Sequence, residues 1–146
     1  MNFLDALNTS ATGLNAQRLR MNLIASNLAN VNTPQTKEGS AYHRKDAVFA
    51  AKAQQSEFGE ALSQQLYPGQ GGVQVVAIRD DNRPPILKYE PTHPDANEDG
   101  FISLPNINVV EEMVNMISAS RSYEANVTAV KASKDMVSSA LDIGKA

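Results

Sequence analysis

The chain has 146 residues, a net charge of −3 and no cysteine. The length suits one ordinary domain. The charge gives no nucleic-acid footprint, and the missing thiols exclude disulfides, cysteine catalysis and thiolate metal sites. Aromatics make up 5% and tryptophan is absent, so any core rests on aliphatic side chains and methionine.

Residues 1 to about 31 predict a long helix. Phe3, Leu7, Ser10, Leu14, Gln17, Met21, Ile24, Leu28 and Val31 recur at steps of four and three, the spacing of a seam buried against another helix. Gly13 weakens it by about 1 kcal/mol relative to alanine. Only Asp5, Arg18 and Arg20 are charged before Lys37, and the other faces hold Asn, Ser, Thr and Ala. Two readings stay open: a plain amphipathic core helix, or a helix with more than one contact face. Polar residues interrupt every apolar run at the N-terminus and no basic segment leads it, so no cleaved signal peptide is expected. No apolar run approaches the ~20 residues that span a bilayer.

Asn30, Asn32, Thr33 and Pro34 end the helix, because proline drives the residue before it out of the α region. A polar loop follows. Residues 41–50 predict a short strand through Tyr42, Val48 and Phe49, weakened by Lys45 and Asp46. Residues 57–67 predict a short helix or a mobile segment, and YPGQGG at 67–72 a break. Three strands then follow: Val73 to Ile78, Ile86 to Tyr89, and Phe101 to Leu104, read together as one small sheet.

From Asn108 a second helix runs to about Ile143. Asn108 with Glu111 three residues on matches a capping box, and Glu111 and Glu112 suit the positive end of the helix dipole. Its seam is Val109, Met113, Met116, Ser120, Tyr123, Val127, Val130, Lys134, Val137 and Leu141, widened at the start by Val110, Val114 and Ile117. Such a helix is about 50 Å long. A compact domain of this length has a radius of gyration of only about 15 Å. The molecule is therefore elongated, or other molecules bury part of the seam. The expected fold is mainly α with a small β insert: a helix and its terminating loop at 1–34, an insert at 35–106, and a helix at 107–146 packed antiparallel on the first, the insert at one end.

Motifs for chemistry are weak. Asp95, Asn97, Asp99, Gly100 and Ile102 follow the order of a calcium loop, but Asn106 stands where a bidentate carboxylate belongs and Pro91 and Pro94 stand where a helix should precede. A turn feeding a strand explains the segment more simply. His43 and His93 are isolated, Gly69, Gly71 and Gly72 lack the Lys-Ser/Thr of a phosphate loop, and no serine sits in GxSxG. No catalytic residue, cofactor, metal or small-molecule substrate is expected.

Two stretches resemble the axial proteins of the bacterial flagellum, the rod and hook family. SNLANVNTP at 26–34 resembles the signature that follows their N-terminal helix. NVVEEMVNMISASRSYEAN at 108–126 resembles their C-terminal helix. The longer run YEPTHPDANEDGFISLPNINVVEEMVNMISASRSYEAN is most similar to proximal rod members. Gln35 and Thr36 depart from the Gly-aromatic pair that usually follows the proline, and residues 35–72 show no likeness.

The resemblance implies a non-enzymatic structural subunit of the basal-body rod. Such a subunit is exported through the flagellar type III apparatus and polymerises helically in the periplasm into the torque-transmitting shaft. Its partners would be copies of itself, other rod subunits and neighbours such as the MS ring. The residues then expected at subunit interfaces are Leu7, Leu14, Met21, Ile24, Leu28 and Asn30 on the first helix. On the second they are Met113, Met116, Tyr123, Val127 and Val130, with Arg121 and Asn126 as polar groups fixing register; alternatively, those two polar groups belong to a solvated face. The rival readings are a cytoplasmic coiled-coil adaptor, which would share the seams but not SNLANVNTP, and a weak calcium-binding module resting on Asp95.

Overall fold

A computed structural model describes residues 3–36, 39–52 and 71–144. The element order is α1 (Phe3–Ala29), β1 (Lys45–Ala51), β2 (Val73–Asp80), β3 (Ile86–Tyr89), β4 (Phe101–Leu104) and α2 (Val109–Ile143). The segment expected as a short helix at 57–67 and most of the 67–72 break lie outside the described residues.

Both helices form where the spacing predicts. Asn108 is extended (φ −91°, ψ 110°), and its side chain accepts from the N–H groups of Val110 and Glu111, satisfying donors the first turn of a helix otherwise leaves open. α1 ends in turns, where Asn30 donates its side-chain N–H to the Ser26 carbonyl at 2.8 Å and accepts from the Thr33 hydroxyl at 3.3 Å.

The helices pack antiparallel at a constant register. Gly13 faces Asn126, and Asn27 meets Glu112: fourteen residues forward on α1 are fourteen residues back on α2. A Cβ on Gly13 would lie 3.2 Å from Asn126 Nδ2, so the absence of a side chain there permits the close approach. Ala16, Ile24 and Ala119 are buried. Carried on at the same register, Phe3 lies level with Met136, and the last two turns of α2 run past it. There Leu141 and Ile143 are exposed.

The insert differs from the single three-stranded sheet expected at one end of the helices. It makes two antiparallel pairs, β1–β2 and β3–β4. β2 takes β1 as its partner, the strand weakened on paper by Lys45 and Asp46; both side chains are exposed, so neither opposes the strand. A bulge leaves Val76 unpaired between Val48↔Ala77 and Phe49↔Val75.

This ribbon lies along α1. Its start is bonded to Asn27 at Lys45, and its far end to α1 where the Val73 N–H donates to Thr12 Oγ1 at 3.1 Å. The lengths agree: fifteen helical residues rise about 22 Å, and six strand steps cover about 20 Å. α1 thus has α2 on one side and the ribbon on another. The β3–β4 hairpin makes no comparable contact with another described element.

Candidate assembly surface and its buried polar joint

The two fully buried polar side chains among the described residues, Asn27 and Glu112, meet where α1, the ribbon and α2 converge. Asn27 sits in the last turns of α1. Its Nδ2 donates to the Lys45 carbonyl at 2.9 Å and to Glu112 Oε2 at 3.0 Å. Its Oδ1 accepts from the Lys45 N–H at 2.9 Å and from the Tyr42 hydroxyl at 3.1 Å. An amide has two donors and room for two acceptances, so all four are used.

Glu112 is the fourth residue of α2, at the end of its first turn, and its side chain is 1% exposed. Arg44, just before β1, donates from Nε to Glu112 Oε1 at 2.8 Å. Burial pulls the Arg44 guanidinium down, but the hydrogen bond and charge of Glu112, helped by Asp46 and Glu111, outweigh it and hold it above its ordinary value. Glu112 is therefore more than a helix-dipole residue: it is the anionic centre of a joint among three elements. Sequence spacing missed it, because its partners lie 68 and 85 residues away.

Turning Glu112 inward rotates the start of α2. Met113, placed in the seam by periodicity, is 54% exposed, and Val109, Val110, Val114 and Ile117 are exposed beside it. Lys134 and Leu141 also face solvent. Met116, Tyr123, Val127, Val130 and Val137 remain half-buried, so the seam holds through the middle of the helix. Of the other expected contact residues, Ile24 is buried; Leu7, Leu14, Met21, Leu28, Asn30 and Asn126 are half-buried; and Arg121 is exposed.

Five apolar residues are buried among the described ones, against fifteen large hydrophobics left exposed. Seven of the exposed side chains fall into two groups. Val110, Met113, Val114 and Ile117 follow helical spacing and form one outer stripe on α2. Leu87, Tyr89 and Phe101 share one face of the β3–β4 hairpin, with Tyr89 and Phe101 edge to face at 5.2 Å. A two-stranded hairpin is marginal alone in water, and contiguous apolar patches of this kind mark interaction surfaces.

The remaining polar groups read as local structure. Asn97 Oδ1 accepts from the Phe101 N–H at 2.8 Å, and Gly100 has φ +78°, so DANEDG is a turn feeding β4. Asp81 is held below its ordinary value by hydrogen bonds from the Arg83 side chain and backbone. An open groove of about 360 Å³ borders the joint, and both guanidinium groups lining it are paired, Arg44 with Glu112 and Arg83 with Asp81. No described helix is long and apolar enough to cross a membrane.

Comparison with known proteins finds family matches over both terminal helices. Residues 7–35 match the family described as flagella basal body rod protein, and residues 98–143 match the flagellar basal body rod FlgEFG protein C-terminal family. The chain is 45% identical to the flagellar basal-body rod protein FlgC of Borreliella burgdorferi over 149 residues, covering 98% of each chain. It is 42% identical to FlgC of Bacillus subtilis, covering 99% of this chain and all of the relative. It is 37% identical to FlgC of Salmonella typhimurium, with the same coverage. The likeness therefore extends through residues 35–72 as well.

Proposed function

The chain belongs to the flagellar basal-body rod protein family, alongside FlgC, and from that premise we propose how its two helices and insert build a shaft. It is a structural subunit of the rod, not an enzyme, and it works in the flagellar basal body together with other rod components.

The observation that carries the mechanism is the pair of exposed apolar clusters, one on the outer stripe of α2 and one on a face of the hairpin. Full burial of such a side chain is worth about 1.5–3 kcal/mol, and at 38–69% exposure each forgoes roughly half of that in a lone chain. Neighbouring subunits supply the missing cover: the outer stripe and the overhanging end of α2 pack on helices of the next subunits, and the insert faces outward and adds lateral contacts. A heterologous contact that does not close produces an open helical tube. Long helices with few anchors gain order as neighbours bury them, so torque passes through packed helices rather than through a hinge. Export through the flagellar type III apparatus, delivery to the periplasm without a cleaved signal, and contact with the MS ring complete this reading.

Deletion and complementation test it. Cells lacking this gene should be non-motile, and the restored protein should co-purify with basal bodies. Helical content by circular dichroism should be higher in purified basal bodies than in the free chain. Swimming cells without the gene, or a protein that fractionates away from basal bodies, would reject the reading.

A further inference from the structure

We propose that Arg44 is a positioning residue that makes closure of the α1–α2 pair conditional on a seated ribbon. The Asn27–Glu112–Arg44 joint is a latch between the insert and the terminal helices.

Closing the pair at this end carries the Glu112 carboxylate out of water, and α1 offers it only the neutral amide of Asn27 at 3.0 Å. The compensating cation comes from the insert: Arg44 Nε lies 2.8 Å from Glu112 Oε1, and the Arg44 side chain is itself only 14% exposed. Arg44 reaches that point only when the ribbon is formed. Its carbonyl accepts from the Asp81 N–H at 2.8 Å, just past β2, and the next residue, Lys45, is paired with Asp80 on one edge and with Asn27 on the other. Its second carboxylate neighbour, Asp46 at 3.7 Å, is 56% exposed and well solvated, so Glu112 is the demanding partner. A buried carboxylate stripped of its cation is far worse than an apolar or neutral replacement. The Gly13–Asn126 level of the pair carries no such requirement. The polar joint thus links two events that apolar seams alone would leave independent: the ribbon must be in register before the helices lock. In a rod subunit, this keeps the terminal helices of a partly folded chain from closing on each other early.

The inference rests on the rod reading and is tested in cells lacking their own copy, complemented with the full-length chain. Arg44→Ala should reduce rods in purified basal-body preparations by about tenfold or more and abolish swimming. Arg44→Ala combined with Glu112→Gln should restore both, because the amide keeps the shape and removes the charge. Glu112→Gln alone should swim. Normal swimming by Arg44→Ala overturns the latch, and so does failure of the double variant to recover, which would assign Arg44 a role unrelated to the Glu112 charge. Failure of the rod reading is visible separately, as swimming by cells with no copy at all.

Discussion

The side-chain amide of Asn27 pairs with both the N–H and the C=O of Lys45, each at 2.9 Å, in the place a neighbouring strand would occupy. A helix residue thereby closes the outer edge of β1 at Lys45, while β2 pairs along the inner one. The same amide holds Glu112. Asn27→Ala therefore strands a carboxylate oxygen and two backbone groups at once. Each unsatisfied buried group costs about 1–3 kcal/mol, and water entering the space recovers part of it, so we expect a loss of about 2–4 kcal/mol. Asn27→Asp should be worse, because it sets a second carboxylate against Glu112 and against the Lys45 carbonyl. Urea unfolding of the three chains would check the order; Asp as stable as Asn would contradict the assigned amide geometry.

Gly72 and Gly39 share a φ of +80° but not their surroundings. A Cβ on Gly39 meets nothing within 4 Å, whereas one on Gly72 collides with Thr12 Oγ1, the acceptor that fixes the start of β2 to α1. Gly39→Ala should cost only the backbone strain, about 1–2 kcal/mol. Gly72→Ala should cost more and should loosen the ribbon from α1. Hydrogen exchange at Val73 separates the two: it should rise in the Gly72 variant and stay near wild type in the Gly39 variant.

The outer stripe of α2 separates folding from assembly. Val110 is 69% exposed and Ile117 is 55% exposed, so neither contributes much to the helix pair within one chain. Val110→Asp and Ile117→Asp should change stability by no more than about 0.5 kcal/mol and leave the helix content of the free chain as it was. Rods should nonetheless fail to form, since the charge would be buried against a neighbour. Wild-type swimming in both variants would remove the stripe from the interface.

The bounds of α2 were legible because its signals are local: a capping asparagine, a helical apolar period and no interrupting proline. The same local reading misplaced its first turns. Apolar spacing set Met113 inward, but the pairing of Glu112 with Asn27 and Arg44 turns the helix by about one residue, and the apolar side chains move outside. Periodicity cannot see a partner 85 residues away. Sheet pairing failed for a related reason. Strand propensity identified the segments, but register depends on what each edge meets, and the edge of β1 meets a side chain on α1.

Gln17 illustrates what the seam left over. It occupies a seam position where an apolar residue would serve, and its Oε1 is buried without a hydrogen-bond donor from the protein. Leaving such an acceptor unsatisfied is costly, while an apolar group of the same shape is neutral or favourable. Methionine matches glutamine closely in length and flexibility. Gln17→Met should therefore raise the stability of the free chain by about 1 kcal/mol, seen as a higher urea midpoint at unchanged slope. The motility of the same variant then decides what the amide is for. Greater stability with normal swimming would make Gln17 a tolerated defect of the seam. Greater stability with lost swimming would show that the amide serves assembly rather than the folding of the free chain. A lower midpoint would mean that the oxygen is already satisfied within the chain.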